Sequence, residues 1–140
     1  MTFRDSSAIV PLVVREPASG RCSRWLRRDP ALVVWSLTAV EVVSALARRR
    51  REGALSEERF AAARQRLSGL ERAWAEVRAL DVVRRRARRL LEAHALTAAD
   101  ALQLAAALVA SEEDPPRLAF ATLDRQLALA ASREGFEAPA

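Results

Sequence analysis

Four carboxylates stand apart from the other acids of this chain by their surroundings. Glu41 is the only charged residue in Ala31–Ala47, ALVVWSLTAVEVVSALA, and Asp100 is the only one in Ala93–Ser111. An ionised carboxylate on so apolar a helix is costly unless something compensates it. Asp5 and Asp124 close two short apolar runs, TFRD and LAFATLD. Carboxylates that converge repel one another, and without a counterion some hold protons well above their free pKa. Mg²⁺ or Mn²⁺ removes that conflict, because both favour oxygen ligands in octahedral geometry and keep several waters. Such ions typically serve phosphoryl chemistry, activating a water and stabilising the leaving oxygen. With one histidine, His94, and one cysteine, Cys22, the chain has no ligand set for a protein zinc site.

Helix capping offers a second account of three of these acids. Asp5 and Asp124 can each cap a following helix, and Thr97 to Asp100 has the T-x-x-D form of a capping box. Glu41 has no capping role in the interior of its helix. Singly each signal is weak, and it is their common placement that gives them weight.

That placement depends on the order of elements. Thr2–Asp5 reads as a strand, followed by a short helix over Ser6–Val14 that Asp5 can cap. Pro17 opens a second helical segment, which ends before Asp29-Pro30. Ala31–Trp35 is a β-branched run of the kind buried on both faces of a sheet. Ser36 or Thr38 can cap the next helix, which carries Glu41 and ends near Gly53. Ser56–Ala75 is the most strongly helical stretch. Glu76–Leu80 is a weak strand candidate, and Asp81 begins a helix that runs to His94. Ala98–Ser111 is the apolar helix of Asp100, Glu112–Pro116 an exposed turn, and Leu118–Asp124 a strand. A helix from Arg125 ends at Gly135, and FEAPA forms a last short strand. Both apolar helices, those of Glu41 and Asp100, are expected to be buried over much of their circumference.

Short strands alternating with helices imply an α/β chain built on a parallel sheet, with residues 1–140 as one domain. Ligands of such sheets sit outside the C-terminal strand ends. Asp5, Glu41, Asp100 and Asp124 can all reach that edge.

Composition narrows the partners. All 23 basic residues are arginine, against 18 acids, for a net charge of +5. That excess favours an anionic partner such as RNA, DNA or an acidic protein tail. The densest arginine runs, Ala47–Glu52 and Arg84–Arg89, read as solvated faces. Four Phe and three Trp are too few for a stacking platform, so nucleic-acid contacts are expected to be mainly to phosphates. Lone Cys22 forms no internal disulfide, no apolar run is long enough for a membrane span, and Asp5 interrupts any leader. These features predict a soluble, cytoplasmic protein. Gly20, Gly53, Gly69 and Gly135 are dispersed, which excludes a glycine-rich phosphate-binding loop.

Four segments carry a family resemblance: RDSSAIVPLVVREPAS with Asp5, TAVEVVSALAR with Glu41, LTAADALQLAAAL with Asp100, and FATLDRQLALAASREGF with Asp124. Together they resemble the successive motifs of the PIN-domain family, and more narrowly the VapC-type toxins of toxin–antitoxin pairs. The resemblance covers Thr2 to about Phe136. It implies a central short parallel sheet flanked by helices and a metal-dependent endoribonuclease. It also implies homodimerisation and inhibition by a cognate antitoxin bound near the active site. Carried over, Asp5, Glu41, Asp100 and Asp124 are the catalytic, metal-holding acids. Ser7 and Thr122 are small polar supports, and Gln103 occupies a position that often carries His or Gln. Arg4 departs from the pattern, standing where a bulky apolar residue is usual; its side chain either lies at the sheet edge or pairs with Asp5. The competing reading is a non-catalytic module on the same fold that holds RNA or protein with its arginine-rich faces.

Overall fold

The computed structural model describes residues 1–140. β1 (Thr2–Arg4) is followed by a 3-10 turn at Ser6–Ala8, α1 (Val10–Val13) and α2 (Ser19–Arg28). Then come β2 (Leu32–Trp35), α3 (Thr38–Arg51), α4 (Glu57–Ala73), β3 (Ala75–Val77), α5 (Leu80–Ala93) and α6 (Ala98–Ala110). A second 3-10 turn at Pro115–Arg117, β4 (Ala119–Ala121) and α7 (Arg125–Arg133) complete the order. The four strands form one parallel sheet in the order β3-β2-β1-β4. The chain steps outward from β1 through β2 to β3, then returns to the far side of β1 as β4. Strand order therefore reverses between β1 and β4, and in parallel sheets the crevice at such a reversal is the usual ligand position.

Alternation along the strands builds two cores, because successive side chains face opposite sides of a sheet. Phe3, Val33, Trp35 and Phe120 pack with α5, α6 and α7 on one face. Leu32 and Val34 pack with α1, α3 and α4 on the other. β2 is buried at all four residues, as its unbroken apolar run requires. α6 is buried from Gln103 to Leu108. The chain turns by 119° between α5 and α6.

α3 departs from expectation. Only Thr38, Val42 and Leu46 are buried, while Leu37, Val40 and Val43 are 45, 66 and 40 % exposed. Its apolar residues encircle the helix, but a helix lying on one layer has only one side to bury. Neither Ser36 nor Thr38 caps α3: Leu37 stands at the cap with no side-chain bond, and Thr38 Oγ1 turns inward to accept from Trp35 N–H at 3.2 Å. The strand expected over Leu118–Asp124 is only Ala119–Ala121. Asp124 instead caps α7 by accepting from Leu127 N–H at 2.8 Å. FEAPA contributes a single bridge, Ala119 to Glu137, rather than a strand.

Arg4 lies neither at the sheet edge nor against Asp5. β1 is an interior strand, and the Arg4 side chain is fully buried towards α2. There Nη1 donates to the carbonyls of Ala8 and Cys22, each at 3.3 Å. Nε and Nη2 have no partner, and the guanidinium carbon is 6.0 Å from the Trp25 ring centre. Burial pulls its pKa below the ordinary arginine value.

No single helix is long and apolar enough to cross a membrane.

Burial sets different expectations for substitution at different positions. Leu104 is fully buried, so Leu104→Ala leaves a cavity and costs about 2–5 kcal/mol. Leu129 is half-exposed, and Leu129→Ser changes stability by less than about 0.5 kcal/mol. Arg4→Met removes a poorly partnered buried charge and leaves stability unchanged or raised. Urea unfolding of the three variants, followed by far-UV circular dichroism, measures all three effects.

Candidate active site

At the C-terminal edge of the sheet, the end of β1 turns sharply and places Asp5 at the centre of a polar cluster. Asp5 is 2 % exposed, and it caps the 3-10 turn by accepting from Ala8 N–H. Ser7 Oγ donates to Asp5 Oδ1 at 2.7 Å and lies 3.2 Å from Thr122 Oγ1. Ser7 Oγ also accepts from Leu123 N–H at 2.8 Å. These bonds tie the end of β1 to the segment leaving β4, across the point where strand order reverses.

A second set joins α3 to α6. Gln103 Nε2 donates to Glu41 Oε2 at 2.9 Å and to Thr38 Oγ1 at 3.2 Å. Ser6 Oγ donates to Glu41 Oε1 at 3.2 Å. Glu41, one turn into α3, is thus held from both sides. Ser6 and Thr38 were not among the sequence-derived candidates. Ser6 could have been found as the other hydroxyl of DSS, but Thr38 carried only the signal of a helix cap.

Asp100 sits in the first turn of α6. Thr97 Oγ1 accepts from Asp100 N–H at 3.2 Å, yet the return bond of a capping box, from Thr97 N–H to the Asp100 carboxylate, is not made. Asp124 is exposed and engaged as the α7 cap.

The electrostatics couple the acids. Burial raises the Asp5 pKa from 3.8 to about 7, against hydrogen bonds from Ser7, Thr122 and Ala8 that lower it, and Asp100 raises it further. Burial also raises Glu41, with Gln103 and Ser6 opposing and Asp100 adding. Asp100 is raised by burial and then by Asp124, against a hydrogen bond with the Thr97 side chain that lowers it.

The donor set is all oxygen and rich in negative charge, which suits a hard divalent cation. However, no three Asp, Glu, His or Cys side chains are spaced to enclose one. The cluster fits such an ion by charge and donor type, as a partial shell completed by water rather than as a preformed cage.

The model of the PIN domain family matches residues 2–132. The chain belongs to the PIN domain family. Two solved structures place this PIN chain among known folds. One is PAE2754 from Pyrobaculum aerophilum, with 24% identity and a TM-score of 0.62, covering 92% of this chain and 83% of that one. The other is VapC20 (Rv2549c) from Mycobacterium tuberculosis, described as a Sarcin-Ricin loop cleaving toxin. Its identity is 17% and its TM-score 0.63, covering 97% of this chain and 96% of that one. Both likenesses are of fold, and they agree with the α/β architecture expected from the alternation of elements. No curated protein matches the sequence.

The raised carboxyl pKa values of this PIN domain have a sign that can be tested. Between its ordinary pKa and about 7, folded Asp5 keeps a proton that the unfolded chain releases. Its contribution to stability is complete below the unfolded pKa and is lost as pH rises through the folded one. Glu41 and Asp100 shift in the same direction. In EDTA, the urea midpoint is expected to fall between about pH 5 and about pH 8. Asp5→Asn is expected to flatten that slope and to exceed the parent protein in stability at the higher pH.

Proposed function

We propose that this PIN domain is a divalent-metal-dependent endoribonuclease of the VapC type, the toxin of a toxin–antitoxin pair, working in the cytoplasm as a single domain. The observation that carries the reading is the placement of Asp5, buried, and of Glu41 and Asp100, half-buried, at the strand-order reversal, with Ser6, Ser7 and Gln103 holding the first two. Keeping several carboxylates in such surroundings works against the fold, which is understandable where the acids serve chemistry. The alternative, an arginine-rich binding module, gives no reason for that arrangement.

In this reading Asp5, Glu41 and Asp100 hold Mg²⁺ or Mn²⁺, and Asp124 adds negative charge from the start of α7. When bound, the ion supplies a Lewis acid for the scissile phosphate and a means of ionising water at neutral pH. The chain's own residues set the geometry. Ser7 fixes the Asp5 carboxylate and, with Thr122, locks β1 against the segment after β4. Gln103 holds Glu41 through one oxygen while Ser6 holds the other. Asp5, whose pKa is raised to about 7, must lose its proton to act as a ligand, so activity rises with pH and metal uptake releases protons. Arginines position the RNA backbone through its phosphates.

Homodimerisation is supported by the exposed apolar face of α3, where Leu37, Val40 and Val43 lie at helical spacing. A cognate antitoxin bound near the acids completes the proposal.

Purified protein, freed of any antitoxin, is expected to cut total cellular RNA into discrete fragments with Mg²⁺ or Mn²⁺. EDTA and Asp100→Asn should each abolish the fragments. Gln103→Ala and Ser7→Ala should retain cleavage at about one-tenth to one-hundredth of the parent rate, as expected for residues that orient ligands. RNA left intact by folded, metal-loaded protein would move the assignment to the binding module.

The assembly has its own test. Analytical ultracentrifugation should give a dimer at micromolar concentration, and Val40→Glu should give a monomer. A small protein encoded beside this chain should co-purify with it and restore intact RNA.

A further inference from the structure

Beside the acidic cluster, a cavity of about 460 Å³ opens between α2, the edge of β4, α7 and the C-terminal segment. Its wall includes Arg21, Trp25, Phe120, Thr122, Ser132 and Phe136. Thr122 belongs to both places: its hydroxyl is 3.2 Å from Ser7 Oγ, which in turn bonds Asp5. The cavity therefore begins two side chains from the carboxylate most deeply buried in the site.

Its lining is unlike the arginine-rich surface elsewhere. Trp25 is half-buried, and the Arg21 guanidinium lies over its ring at 5.3 Å, with Arg4 at 6.0 Å. Arg21 makes no ion pair and is exposed, so it can swing off the indole or lie across a ligand placed there. Glu137 is the one carboxylate in the wall. A second, smaller cavity shares Trp25 and continues towards Arg28 at the other end of the strands. An aromatic plane with an exposed guanidinium beside it suits a flat, hydrogen-bonding π system, and base-on-aromatic stacking is the common means of holding single-stranded nucleic acid.

We infer that this cavity takes one unpaired nucleobase of the RNA, from a nucleotide adjoining the phosphate to be cut. The inference rests on the nuclease reading for the identity of the ligand. The base stacks on Trp25, Arg21 covers its outer face or contacts the neighbouring phosphate, and Thr122 separates the base from the acids. Such a subsite selects unpaired over duplex RNA at the cut, because a paired base cannot leave its stack without cost. It also adds to the expectation that RNA contacts are mainly to phosphates: four Phe and three Trp make no stacking platform, but one Trp suffices for a single base.

The experiment measures binding and cleavage separately. Binding of a fluorescein-labelled single-stranded oligoribonucleotide is followed by anisotropy, using Asp100→Asn protein in EDTA so that no cutting intervenes. Trp25→Leu in that background should weaken binding by about tenfold to a hundredfold. Trp25→Phe, which keeps an aromatic plane and serves as the folding control, should bind within a few fold of the parent. Arg21→Ala, a change on an exposed helix face, should weaken binding severalfold. A duplex of the same sequence should bind alike with and without Trp25.

In the cutting-competent protein, Trp25→Leu should raise KM more than it lowers kcat. RNA bound and cut equally well by parent and Trp25→Leu would overturn the subsite and leave the nuclease standing. Trp25-dependent binding with no cleavage under any metal would support the subsite and overturn the nuclease. RNA ignored by every form of the protein would overturn both.

Discussion

Asp5 is the residue on which the local architecture turns. It ends an interior strand, is almost wholly shielded from water, and lies within the field of Asp100. A carboxylate in that position is expensive to ionise, so the surrounding chain is arranged to hydrogen-bond it. The abrupt 3-10 turn after β1 brings the Ala8 N–H to it, and Ser7 donates to it while reaching Thr122. The same serine accepts the Leu123 N–H. Cap, strand-end connection and site support are thus one set of bonds. The turn also begins the connection that carries the chain onto the face of the sheet where α1, α3 and α4 pack.

The rest of the site follows the topology. Outward steps from β1 to β3 and a return to β4 open the reversal at the C-terminal end of β1, beside Asp5. Glu41 arrives on the first turns of α3, and Asp100 on the first turn of α6. The Gln103–Glu41 bond joins these helices although the residues are far apart in sequence. Positioning by rigid elements, rather than by loops, is what a metal-assisted reaction needs. The acids nonetheless stop short of a closed cage.

Arginine is used in two ways in this PIN domain. Most guanidinium groups stay in water, some paired with acids as Arg86 is with Glu113 and Arg89 with Glu134. Such pairs contribute little to stability. Arg4 is the exception, buried with two nitrogens unpartnered and lying against Trp25. Its carbonyl partners, on Ala8 and Cys22, bridge the turn after β1 to α2. A residue that departs from the family pattern is thereby accommodated by α2 rather than by Asp5.

Most of the secondary structure was legible in the chain because its causes are local. β-branched runs, glycines past helix ends and the Ser56, Thr97 and Asp124 caps depend on near neighbours. The isolation of Glu41 and Asp100 was likewise visible, since a lone charge in an apolar segment is a property of the segment. What the sequence could not decide was which side chains meet. Arg4 had two open placements and took neither, because strand order put β1 in the interior and α2 over its face. The strand expected to reach Asp124 stopped at Ala121, which leaves the acid exposed in the cap position that the sequence also offered it. α3 was expected to be buried over much of its circumference, yet it lies on one layer and leaves Val40 in solvent. Local pattern sets the element and its apolar residues; sheet order and packing against distant segments decide what each face and each charge encounters.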